Sequence, residues 1–202
     1  MEPEILVPFP ETLPQAPETT HLRSTLLVTS LAALRRRALL EPYERHTGAE
    51  RFAAITTAVA GMWLPIDVGV AHYASCDALG LSHAEQMAIG GEVVRELQRS
   101  FIGTLLKLSA AGAGVTPWLA LARFSAVYER MFQGGGLRVV KTGPKDARME
   151  VVGQRLARVG YFRNAYRGFL QAGCEFFSDH VFVADLPRHC TASTLGYRIS
   201  WV

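Results

Sequence analysis

Gly134-Gly-Gly-Leu-Arg-Val-Val-Lys-Thr-Gly-Pro-Lys-Asp-Ala-Arg-Met-Glu-Val151 is the stretch that divides this 202-residue chain. Ahead of it, apolar residues recur at helical spacing. From Leu137 onward they alternate, and Gly143-Pro144-Lys145-Asp146 supplies turn residues between two alternating runs. The change of period predicts a β-hairpin, Leu137–Thr142 with Ala147–Val151. The glycine triplet reads as a helix stop. A phosphate-binding loop is the other reading that three glycines invite, but such a loop follows a strand and opens a helix, and here the order is reversed.

Working outward to the C-terminus, Leu156–Phe177 has the pattern of an aromatic helix, with Phe162, Ala165, Tyr166, Phe169, Leu170, Gly173, Phe176 and Phe177. Two further strands follow, His180–Leu186 and Thr194–Trp201. In the last, Leu195, Tyr197, Ile199 and Trp201 alternate with Thr194, Gly196, Arg198 and Ser200, the pattern of a sheet buried on one face. Residues 137–202 therefore spell ββαββ.

Working outward to the N-terminus, the pattern is helical. Leu26, Leu27, Ser30, Leu31, Leu34 and Ala38 mark a helix over about 23–40, stopped by Pro42. A second helix begins at 47–49 and runs to about Met62, and Leu64-Pro65 marks a break. A third occupies about 66–79. Ser82 with Glu85 three residues on is a capping box for a long helix to about Ala110. Gly90-Gly91 lies inside that helix, where each glycine costs about 1 kcal/mol relative to alanine, so the pair predicts a close helix crossing or a kink. Thr116-Pro117 opens one more helix, carrying Trp118, Leu121, Phe124, Tyr128 and Phe132. Residues 1–20 hold five of the ten prolines and read as an extended arm, whose Ile5, Leu6, Val7 and Phe9 lie across the domain. The fold class is α+β: an arm over 1–20 and a single domain over 21–202, helical to 136 and ββαββ from 137.

Composition narrows the function. Hydrophobic residues at 49% and charged residues at 19% describe a globular chain. The longest apolar stretch, Phe52 to Ile66, is too short and too interrupted for a membrane span. Four acidic residues and no basic one precede Arg23, the reverse of a signal peptide, so a soluble cytoplasmic protein is expected. Residues 137–202 carry ten basic and five acidic side chains, but these are dispersed and form no nucleic-acid-binding stripe. Cys76, Cys174 and Cys190 are odd in number and widely spaced, which indicates free thiols and no zinc cage.

Catalytic patterns are missing. There is no GxSxG, and His189-Cys190 falls in a connection where a nucleophile would face water. His72 and Cys76 are one helical turn apart, and two ligands do not make a metal site. What remains is an abundance of rings beside small residues, which can line an apolar pocket. Trp63, His72, Tyr73, Trp118, Phe162, Tyr166 and Phe169 are the candidate lining residues. Arg163, with Arg167 one turn on, is the candidate partner for an anionic head group.

Several segments resemble an uncharacterised family of about 200-residue proteins found mainly in myxobacteria. They are Tyr161-Phe-Arg-Asn-Ala-Tyr-Arg-Gly168 and Tyr197-Arg-Ile-Ser-Trp201, with Trp63-Leu-Pro65, His72-Tyr73, Pro117-Trp118, Phe132-Gln-Gly-Gly135 and Gly143-Pro-Lys-Asp-Ala-Arg148. The resemblance covers the chain after about Ser24 and carries no catalytic residues. In element order the chain is also similar to vinyl-reductase-like domains, TRAPP subunits and haem-nitric-oxide sensor domains. Those resemblances imply a protein that binds an apolar small molecule, an acyl chain or haem, or an assembly subunit. The expected function is a non-enzymatic ligand-binding or sensory domain without a resident cofactor. Haem on His72 is what the sensor resemblance would allow. The alternative is a scaffold acting through a homodimer or a protein partner.

Overall fold

A computed structural model describes residues 4–9, 17–59, 61–109 and 116–202, with the helix backbone alone for 97–109. Along the chain run strands β1 (Glu4–Val7) and β2 (His21–Arg23), helices α1 (Ser24–Arg36), α2 (Leu40–Thr47) and α3 (Ala49–Thr56), and strand β3 (Trp63–Pro65). Helices α4 (Ile66–Asp77), α5 (His83–Ser109) and α6 (Pro117–Met131) follow, then strands β4 (Phe132–Gln133), β5 (Gly136–Gly143) and β6 (Asp146–Val152). Helix α7 (Gly160–Glu175) and strands β7 (Val181–Asp185) and β8 (Leu195–Trp201) complete the chain. This is an α+β fold whose helices precede and then cover an antiparallel sheet.

The sheet has the order β1-β5-β6-β8-β7. Its register places Leu137 opposite Val151, Met149 opposite Tyr197 and Val183 opposite Ile199. Period-two alternation thereby gathers these side chains, all buried, on the face that α6 and α7 cover. Trp201 closes the end of that face edge-to-face with Trp118, ring centroids 4.6 Å apart. On the opposite face Arg138, Arg148 and His189 converge on the buried Glu150 carboxylate.

Four features depart from the sequence reading. First, the arm is not simply laid across the surface: Glu4–Val7 pairs with β5 and becomes an edge strand. Pro8 follows that strand without interrupting it. Second, α1 ends at Arg36 without glycine. Ala38 takes the left-handed conformation (φ 56°), and the amides of Ala38 and Leu39 bond back to Arg35 and Leu34. Pro42 then sits in the first turn of α2, where an amide would have no helical partner anyway. Third, a three-stranded sheet, β3-β2-β4, ties the start of α1 to the ends of the third and sixth helices' connections. The glycine triplet follows β4 instead of ending the helix directly. Gly134 and Gly135 have φ of 77° and 69°, and Gly135 N–H bonds to the Pro17 carbonyl as the chain's early strap passes by. Fourth, α7 starts at Gly160, after a separate 3₁₀ turn at Arg155–Arg158. Its Tyr161 amide is capped from another element, donating to Asp77 Oδ1 at 2.7 Å.

The Ser82–Glu85 capping box forms as expected, and so does the close crossing at Gly90. A methyl group at Gly90 would fall inside 3.0 Å of the Ala165 carbonyl on α7, and one at Gly168 inside 3.0 Å of the Met87 carbonyl on α5. The backbones of α5 and α7 therefore touch, and the rest of the site is arranged around that contact.

Candidate functional site

Phe162, Tyr166 and Phe169 are spaced four and three residues apart and share one face of α7. Tyr166 stacks on Phe169 with centroids 5.8 Å apart, and Phe162 meets Tyr73 edge-to-face at 4.9 Å. Where this aromatic face looks past the α5–α7 contact, it leaves a cavity of about 30 Å³. Leu26 and Ser30 of α1, Tyr73 of α4, Ile89, Gly90 and Val93 of α5, Met131, Phe132, and Tyr161 and Ala165 of α7 are the other described residues of its wall. The lining is nearly all carbon.

Among the described residues, four that line it carry a hydroxyl: Ser30, Tyr73, Tyr161 and Tyr166. The Tyr161 and Tyr166 hydroxyls are buried without a hydrogen-bond partner. The Tyr161 hydroxyl lies beside Ser30 and Cys76 but is not aligned with either for a hydrogen bond. Burial pushes both phenols' pKa up, so both keep their protons and stay donors.

Ser30 leads to a second layer. Its Oγ lies 3.0 Å from His72 Nε2, and His72 Nδ1 lies 2.8 Å from the Tyr43 hydroxyl. Desolvation alone pushes His72 down to about 3, so this imidazole is neutral and both its nitrogens are already used. Cys76 Sγ lies 3.7 Å from Nε2, as one helical turn requires, and burial pushes its thiol up, away from the thiolate a metal binds. Among the described residues no group of three or more His, Cys, Asp or Glu side chains could hold a metal ion.

The candidate lining residues separate into three groups. Tyr73, Phe162, Tyr166 and Phe169 meet at the cavity, and His72 stands behind it, connected through Ser30. Trp63 and Trp118 are elsewhere. Trp63 lies under the Arg23 guanidinium, and Trp118 packs on Trp201 with its Nε1 donating to the Pro144 carbonyl. Arg163 also points away from the cavity: its guanidinium donates to the carbonyls of Ala157 and Thr191. Arg167 likewise donates to Val183 at the sheet edge. One residue's advance around a helix is about 100°, which takes Arg163 and Arg167 off the face of Phe162 and Tyr166. The sequence reading did not single out Ser30, Tyr161, Ile89, Val93 or Met131 for the site. Ser30 had a signal, being the one hydroxyl in the leucine stripe of α1.

No helix among the described residues is long and apolar enough to cross a membrane. No family model matches the sequence, and no curated protein is similar to it. Solved structures are similar in fold. The iron(II) unliganded H-NOX protein from K. algicida matches with a TM-score of 0.67 at 10% identity, covering 90% of this chain and 97% of that one. A structure probing the function of haem distortion in the H-NOX family matches at 0.61 and 14% identity, covering 89% and 95%. A third, on haem redox potential and porphyrin distortion, matches at 0.58 and 15% identity over 89% of this chain and all of that one. At such identities the likeness establishes the fold: this chain has the architecture of the H-NOX proteins.

Proposed function

We propose that this protein is a non-enzymatic sensory or ligand-binding domain whose ligand is a small, mostly apolar molecule held in the cavity between α1, α5 and α7. The observation that carries this reading is the cavity itself, a space lined almost wholly by carbon between three helices. A few polar groups on an apolar wall are the usual makeup of a small-molecule site. The wall also joins the helical half to the sheet through α7, so a guest that spreads Phe162 from Tyr73 would shift the helices relative to the sheet.

The similar structures are of haem proteins, and the residues of this cavity do not fit a haem. About 30 Å³ is a tenth of the roughly 300 Å³ at the low end of drug-sized sites. The chain has no histidine between His83 and His180, and His72 is enclosed with both nitrogens bonded. Among the described residues, no imidazole or thiol lines the cavity.

Xenon is the probe matched to an apolar cavity of this kind. Titration followed by ¹²⁹Xe and protein NMR should give saturable shifts at the rings of Tyr73, Phe162 and Phe169. Phe162→Trp, which fills the space, should remove them. Added hemin should give no stoichiometric Soret band. A protein that ignores xenon and runs as a tight dimer would replace this reading with the scaffold one, and a 1:1 haem complex would overturn it.

A further inference from the structure

We infer that Arg167 holds the β7 edge of the large sheet closed against strand pairing with a second copy of this chain. The order β1-β5-β6-β8-β7 leaves the two outer strands with one neighbour each among the described residues. Such edges present unpaired amides and carbonyls, and proteins blunt them with short or bulged strands, prolines and charges. β1 is blunted in this way: it has four residues, its register shifts between Ile5 and Val7, and Pro8 follows it. β7 differs. Val181-Phe-Val-Ala-Asp185 pairs with β8 in unbroken register, and β-branched and aromatic residues fill its first three positions.

The ladder fixes which groups of β7 are free. The Val202 amide donates to the His180 carbonyl and the Leu186 amide to the Gly196 carbonyl, so the even-numbered residues of this segment face β8. Val181, Val183 and Asp185 therefore turn their main-chain groups to the open edge. Arg167 reaches that edge from α7. Its Nε donates to the Val183 carbonyl at 2.6 Å, and a terminal nitrogen lies 3.7 Å from Asp185 Oδ2. The central carbonyl of the edge is thus taken, and a guanidinium stands where an incoming strand would lie.

The strand is also complementary to itself, which names the occupant. In a two-fold antiparallel pair centred on Val183, Val181 lies opposite Asp185 of the second copy, so the outward-facing residues all meet in hydrogen-bonded pairs. The same register sets Phe182, 62% exposed, against the small Ala184 of the second copy. To complete that pairing, the second copy must take the Val183 carbonyl from Arg167.

Arg167→Met keeps an unbranched stem and removes the guanidinium. By sedimentation equilibrium it should self-associate at least about tenfold more tightly than the parent, because a hydrogen bond from a charged donor is no longer given up. Arg167→Lys, which keeps a charge at the edge, should behave as the parent. Adding Asp185→Pro to Arg167→Met removes an outward amide and should restore the parent's behaviour. In the parent itself, the Val183 amide should exchange with solvent faster than those of Phe182 and Ala184, which face β8. Equal self-association of parent and Arg167→Met overturns the inference, and so does association that survives Asp185→Pro. A slowly exchanging Val183 amide in the parent overturns it too, whether or not the variants fold, by showing that the edge is already paired.

Discussion

Gly168→Ala should lower the free energy of unfolding by about 4 kcal/mol, and Gly90→Ala by a comparable amount. The two glycines sit on opposite sides of one crossing: Gly90 of α5 against the Ala165 carbonyl, and Gly168 of α7 against the Met87 carbonyl. A methyl group at either site would lie inside 3.0 Å of main-chain atoms, which cannot swing aside as a side chain can. The helices must separate, and separation unpacks the rings on both. Overpacking in a core costs about 1–3 kcal/mol when side chains absorb it. Here backbone must absorb it, and the loss exceeds the gain of up to about 1 kcal/mol that alanine brings to a helix interior. Gly91→Ala is the internal control. Its methyl would meet the Ala172 methyl at 3.4 Å, an ordinary contact, so the propensity gain survives and stability should hold or rise. Denaturant unfolding of the three variants tests this, and a Gly168→Ala protein with the parent midpoint would show that the crossing is looser than described.

That crossing was foreshadowed in the sequence by two glycines in an otherwise well-formed helix, although their partner was not. Local signals carried far in this chain. The alternation after Leu137 located the hairpin, the capping box located the start of α5, and the four-and-three spacing of Phe162, Tyr166 and Phe169 located the face that meets the cavity. What stayed hidden was decided by residues distant in the chain. The strands of the small sheet are two or three residues long, and the pairing of Leu22 with Leu64 and Phe132 has no local pattern. Ala38 closes α1 in a conformation usually given to glycine, so the end of that helix carried no marker. Trp63 and Trp118 are large rings beside small residues, as pocket residues are, yet one is held by Arg23 and the other by Trp201. An aromatic side chain's spacing gives its face, while its purpose depends on what the fold brings against it.

Acid should destabilise this protein well before its carboxylates titrate, and His72 is the reason. Its ring is fully buried between the Tyr43 hydroxyl and Ser30 Oγ, with Cys76 and the Tyr73 ring as its other close neighbours. All are neutral, so nothing offsets the cost of charging it, and burial holds its pKa at about 3. In the unfolded chain the same imidazole takes a proton near pH 6.5. Above that pH both states are neutral and the stability is undiminished. Below it the unfolded state binds a proton that the folded state refuses, so stability falls by about 1.4 kcal/mol per pH unit until the folded pKa is reached. Between pH 7 and pH 4 the loss attributable to His72 is thus about 3 kcal/mol. The depressed carboxyls of Glu85 and Glu92 work in the same direction, but below the usual carboxylate range. His72→Gln separates the two contributions: its amide has a donor and an acceptor for Tyr43 and Ser30 but does not titrate. It should be less stable than the parent at pH 7, where the fit is poorer, and lose little more down to pH 5, so that the two curves converge as the pH falls. Parallel curves for parent and variant over that range would show that the proton is taken up elsewhere. Convergence would establish that the layer behind the cavity is held together only while His72 remains neutral.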